Sequence, residues 1–191
     1  MTFSVEFNLE SEADVERLSK TGYEIMLLDT CFIVNFITDL DRVLKPDAIK
    51  ASRKLPCICD FTKRELRHLV LREKKGFNPW RRLQQYLKNG SIIILLRTGI
   101  VRSGQIAREL LDGMVERLGR GCIKPFVKAY GGWRARSNMK DLALYLSAVK
   151  LAIYGMKVAV ATTDRRLRLA LELADIPTYH SPWLPRPPER W

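Results

Sequence analysis

Long apolar runs are missing from this 191-residue chain. The longest, such as Ile-Ile-Ile-Leu-Leu at 92–96, are far too short to cross a bilayer, so no membrane association is expected. Histidine is scarce, with only His68 and His180, and the four cysteines (Cys31, Cys57, Cys59, Cys122) form no recognisable disulfide or zinc framework. Cys57 and Cys59, spaced i, i+2 in an apolar run, point to one strand face and read as small buried hydrophobes. The first residues carry Glu6, Glu10, Glu12 and Asp14 in place of the apolar centre of a signal peptide, so a cytoplasmic location is the default expectation. Internal repeats are lacking, and bias is confined to a tail holding Pro182, Pro185, Pro187 and Pro188.

What is abundant is positive charge, +12 overall, and it is unevenly spread. The first fifty residues hold ten acids against five Lys/Arg, whereas the remainder holds 28 basic and 11 acidic residues. A surface of that sign favours a polyanion, with nucleic acid foremost. The 47% hydrophobic content belongs to a globular domain with a real core.

Continuous apolar runs at 24–29, 55–60, 91–96 and 157–162 read as strands buried on both faces, and 176–180 as a short last strand. Helical patterns fall between them, at 32–38, 42–53, 63–74, 79–87, 103–118, 138–154 and 165–174. This alternation predicts an α/β fold, a three-layer α/β/α sandwich around a mainly parallel sheet of about five strands. Residues 1–22 form a short N-terminal extension of one alternating strand and one short helix. The main domain covers 23–181, with a basic and aromatic insert at about 119–137 expected to be irregular, and a Pro-rich tail follows at 182–191.

Asp29, Glu65, Asp141 and Asp164 each stand where an apolar run or loop gives way to a helix. Singly, capping is the simpler account of each: Glu65 completes Thr62-Lys-Arg-Glu65, Asp141 follows Asn138 by three, and Asp29 and Asp164 precede helices. Jointly, a parallel sheet gathers strand-to-helix junctions along one edge, and carboxylates meeting there repel unless a cation bridges them. Oxygen donors of this kind suit Mg²⁺ or Mn²⁺. Thr30 and Thr162 are positioned either to orient those carboxylates or to cap helices. A phosphotransfer enzyme with Asp29 as nucleophile would need a second Asp two residues on, where Cys31 stands.

The run Ile25-Met-Leu-Leu-Asp29-Thr30, the acid in Phe61-Thr-Lys-Arg-Glu65-Leu, the helix opening Asp141-Leu-Ala-Leu-Tyr-Leu-Ser-Ala and the strand end Val158-Ala-Val-Ala-Thr-Thr-Asp164 together resemble the PIN-domain nucleases over roughly residues 24–180. The sequence differs from many relatives in carrying Arg166 where they have a further acid. The resemblance implies a Mg²⁺- or Mn²⁺-dependent endoribonuclease that leaves 5′-phosphate and 3′-hydroxyl ends. In it Asp29, Glu65, Asp141 and Asp164 are both metal ligands and catalytic residues. A role in RNA processing and a toxin-like role both stay open, as does a non-catalytic PIN-like module that binds RNA or ribosome-assembly partners. The reading leaves room for a homodimer or a protein partner.

Candidate contacts to single-stranded or structured RNA are Lys124, Lys128, Tyr130, Trp133, Arg134 and Arg136 in the insert, with Arg165 and Arg166 after Asp164. The insert aromatics either stack unpaired bases or pack the segment onto the core.

Overall fold

Ile25, Met26, Leu27 and Leu28 are all completely buried, because the strand they form, β2 (Glu24–Leu28), has helices over both faces and strands on both edges. The structure is a computed structural model that describes residues 5–69, 78–103, 105–132 and 138–183. β3 (Lys54–Cys59) and β7 (Val158–Ala161) flank β2 in parallel, with Leu27 opposite Cys57 and Leu28 opposite Ala161. β4 (Ile94–Arg97) lies beyond β3, and β8 (Thr178–Tyr179) lies beyond β7.

The sheet holds six strands in the order β1-β4-β3-β2-β7-β8, all parallel, one more than the five expected. The sixth is β1 (Val5–Asn8), the alternating N-terminal segment, which pairs with β4. Its alternation suits an edge: Phe7 and Leu9 enter the core while Asn8 between them is exposed. The following helix α1 (Glu12–Ser19), capped by Ser11, adds Val15 and Leu18 to the same core.

Alternate residues of each strand feed two separate apolar layers. Ile25, Leu27, Cys57, Cys59 and Val160 pack under α1, α7 (Arg108–Leu118), α9 (Met139–Ile153) and α10 (Arg165–Glu172). Met26, Leu28, Ile58, Leu95 and Ala161 pack under α2 (Thr30–Asn35), α3 (Ile37–Val43) and α6 (Pro79–Lys88). The result is the three-layer α/β/α sandwich that the alternation of strands and helices predicts.

Three local expectations are corrected. The helical stretches between β2 and β3 become three short helices, because Phe36 breaks the first and Pro46 opens α4 (Pro46–Ser52). The segment from Ser103 is not yet helix: Ser103 takes φ 48°, and β5 (Val101–Arg102) and β6 (Gln105–Ile106) form a small antiparallel ribbon ahead of α7. The insert expected to be irregular folds, in its described part up to 132, as a 3₁₀ turn at Arg120–Ile123 and then α8 (Lys124–Tyr130), with Pro125 in its first turn. Gly131 at φ 72° ends α8, a left-handed conformation that costs glycine least. The helix expected over 63–74 is described as α5 (Asp60–His68), its expected end at 70–74 lying outside the described residues, as does the Pro-rich tail from 184 onward.

The N-terminal segment is tied to α9 by charge: Glu10 Oε1 accepts from Lys150 Nζ at 2.6 Å, and Lys150 is only 6% exposed. Removing Glu10 strands a buried ammonium, so Glu10→Ala is expected to lower stability by about 1–3 kcal/mol, since one side of the pair reaches solvent. Urea denaturation checks this, with the exposed Glu12→Ala as the variant that should change little.

Candidate functional site

The strand order reverses at β2, with β3 on one side and β7 on the other, and such a reversal opens a crevice at the carboxyl ends of the strands. Asp29 is the first residue past β2, and its N–H donates to Ala161 O at 3.0 Å, which fixes it against the end of β7. Thr162, fully buried at the end of β7, donates its hydroxyl to Asp29 Oδ2 at 2.7 Å. The Cys31 thiol donates to the same oxygen at 2.7 Å. One turn further along α2, Asn35 Nδ2 donates to Thr163 Oγ1 at 3.0 Å, so the α2 and β7 junctions are stitched together.

The other three acids come from separate elements. Glu65 projects from the second turn of α5; its Oε2 accepts from Thr30 Oγ1 at 2.8 Å, and Lys140 Nζ bonds Oε1. Asp141 stands in the first turn of α9, where its Oδ2 accepts from the Tyr130 hydroxyl at 3.0 Å. The same phenol lies 3.4 Å from Asp164 Oδ1, so one proton is shared between two carboxylates. Tyr130 is held there by its ring, which stacks on the buried Phe126 with centroids 4.2 Å apart.

Asp29, Glu65, Asp141 and Asp164 thus line one cavity of about 380 Å³, together with Cys31, Asn35 and Lys140. Capping accounts for one of the four. Asp164 Oδ1 accepts from Leu167 N at 2.8 Å. Asp29 occupies the cap position of α2 without a side-chain cap bond, and Asn138 likewise makes none at the start of α9. Because α5 begins at Asp60, Thr62 and Glu65 do not form the capping box their spacing suggests.

Crowding of like charge is visible in the acidities. Burial raises the Asp141 carboxyl to about 6, and repulsion from Asp29, Asp164 and Glu65 adds to it against the lowering by the Tyr130 bond. Burial also raises Asp29 above the ordinary carboxylate range despite its bonds from Cys31 and Thr162. Burial, then the adjacent carboxylates, push the Tyr130 phenol upward, so it stays a donor at neutral pH. Among the described residues, no three His, Cys, Asp or Glu side chains close tightly enough to ligate one ion; Tyr130 and Lys140 lie against the carboxylates. The donor set itself is carboxylate oxygen backed by hydroxyls, which suits Mg²⁺ or Mn²⁺ in charge and hardness.

Lys124 and Lys128 are exposed on α8, and Arg165 and Arg166 are exposed in the first turn of α10 directly after Asp164. Trp133, Arg134 and Arg136 lie outside the described residues. Phe126 packs into the core, and the Tyr130 ring lies on it.

Sequence reasoning passed over Asp60 and the role of Lys140. Asp60 ends β3 just as Asp29 ends β2, but its carboxylate accepts from Thr98 Oγ1 at 2.8 Å and Thr98 N at 3.3 Å, clamping β3 to the end of β4. Lys140 was legible only as one of the basic residues leading into Asp141, not as the partner of Glu65. No known protein family and no curated protein matches the chain.

An acid whose folded pKa lies above its unfolded value of roughly 4 destabilises the fold as pH rises through that window. For Asp141 the window runs from that value to about 6. With chelator present, Asp141→Asn is therefore expected to melt higher than wild type at pH 8, the gap closing toward pH 4. Screened by solvent, the effect corresponds to about 1–2 kcal/mol, or roughly 2–8 °C. Thermal melts across pH check it.

Proposed function

We propose that this chain is a metal-dependent endoribonuclease of PIN type. The observation that carries the reading is the convergence of Asp29, Glu65, Asp141 and Asp164, from four different elements, on a single cavity. Repulsion in a half-dry site is costly, and a fold accumulates it where a divalent cation offsets it. The order of these acids resembles the PIN-domain nucleases, which implies RNA hydrolysis with 5′-phosphate and 3′-hydroxyl products.

In this reading Asp29, Asp141 and Asp164 hold Mg²⁺ or Mn²⁺, with Glu65 completing the set. When bound, such an ion lowers the pKa of water and draws off charge developing on the phosphate. Thr162 and Thr30 orient carboxylates, since each donates its hydroxyl to one of the four acids, at 2.7 and 2.8 Å. Tyr130 keeps Asp141 and Asp164 turned toward each other through one oxygen. Lys124, Lys128, Arg165 and Arg166 supply the cationic approach for the phosphate chain, without sequence preference.

One contact favours a second reading. The Lys140–Glu65 ion pair already neutralises one acid with a protein cation, as a non-cutting RNA-binding or assembly module would.

Two measurements separate the readings. Mg²⁺ or Mn²⁺ at a hundred times its dissociation constant should raise stability by about 2.7 kcal/mol, and Asp29→Asn or Asp141→Asn should abolish that rise. Cleavage of a panel of RNAs should fall at least a hundredfold, on the order of 3 kcal/mol, in either variant or with chelator. Equal cleavage by all three proteins removes the site, while RNA binding with neither cleavage nor a metal shift leaves the second reading.

A further inference from the structure

Glu65 and Lys140 face two cavities. One is the acid-lined cavity already described; the other, about 330 Å³, shares with it the two residues of their ion pair. Three apolar side chains line it: Phe61 from α5, Ile106 from β6 and Met139 from the start of α9. Arg64 and the exposed His68 and Gln105 bring polar groups to it. Its one carboxylate among the described lining residues, Glu65, is already bonded by Thr30 and Lys140, so the charge facing an incoming ligand is positive.

We infer that this second cavity takes a single unpaired nucleobase, that of a nucleotide adjoining the phosphate held at the acids. The inference rests on the nuclease reading for the identity of the polymer and deepens it by assigning a base subsite. Several features select this occupant. Apolar walls that include an aromatic ring accept the flat face of a base. The Gln105 amide offers both a donor and an acceptor, and Arg64 offers a fork of donors, which together match the hydrogen-bonding edge of a base. The shared Glu65–Lys140 wall makes the two cavities neighbours, so one strand can serve both. Positive charge at the mouth complements the phosphates on either side of that base. Gln105 and Ile106 owe their placement to the small β5–β6 ribbon, whose edge is closed by the Ala107 N–H donating to Ile100 O at 3.0 Å. The ribbon therefore acts as the outer jaw of the subsite, with α5 and α9 as the inner one.

The test uses the full chain with Ca²⁺ in place of Mg²⁺ or Mn²⁺, to fill the acid site without supporting cleavage, and fluorescein-labelled single-stranded pentaribonucleotides, each lacking the base at one position. Anisotropy should show about a tenfold loss of affinity for one abasic position and under about twofold elsewhere. Gln105→Ala, and separately Met139→Trp, which fills the cavity, should flatten that positional profile while leaving the salt-dependent affinity in place. A flat profile in the wild type, no binding of any pentamer, or a profile unchanged in folded Gln105→Ala overturns the subsite. Gln105→Ala decides the matter if Met139→Trp fails to fold. Because Ca²⁺ removes cleavage from the binding readout, a positional profile in a protein that fails to cleave with Mg²⁺ or Mn²⁺ sinks only the nuclease reading. Cleavage with a flat profile sinks only the subsite.

Discussion

Like charge packed into a half-dry cavity is the constraint around which this molecule is arranged. Burial and mutual repulsion raise Asp141, and burial raises Asp29, yet both carboxylates are kept in place by neighbours that cannot move independently. Thr162 reaches Asp29 from the end of the adjacent central strand, and Tyr130 reaches Asp141 from a helix locked by ring stacking on Phe126. A buried hydroxyl that donates to a carboxylate offsets part of its desolvation, but it carries no charge. Among the described residues, Lys140 is the cation bonded to the cluster, and it sits on Glu65. The cluster is therefore held by packing rather than neutralised, the condition in which a divalent ion has most to gain by binding.

The surrounding layers serve that arrangement. Complete burial of Ile25 to Leu28 sets Asp29 at a fixed depth, and parallel pairing of β2 to β7 brings Thr162 and Asp164 alongside it. On the other side, α5 carries Glu65 toward the cavity while Asp60, at its start, clamps the neighbouring strands through Thr98. Exposed cations on α8 and α10 then flank an acidic centre with positive charge, a combination that fits the proposed action on a polyanion.

Legibility in the sequence followed the type of information each feature requires. The buried strands were readable as uninterrupted apolar runs, and α1 as the short helix after the alternating first strand. The ribbon at β5 and β6 was not readable, because two-residue strands carry too little periodicity to compete with the helical pattern of α7 beyond them. The helix α8 was obscured by its cations and aromatics, whose composition resembles a loop although Pro125 and Gly131 bracket a helix.

Local sequence determined that acids stand at strand and helix boundaries, that the apolar runs form buried strands, and that the surface is basic, since each depends only on neighbouring residues. Asp29 and Asp60 show where that information stops. Both follow an apolar strand and both precede a helix, yet one opens on the shared cavity and the other turns to Thr98. Only the tertiary structure separates them, because the direction of a carboxylate depends on which strands become neighbours, and that is settled by burial of both sheet faces over contacts distant along the chain.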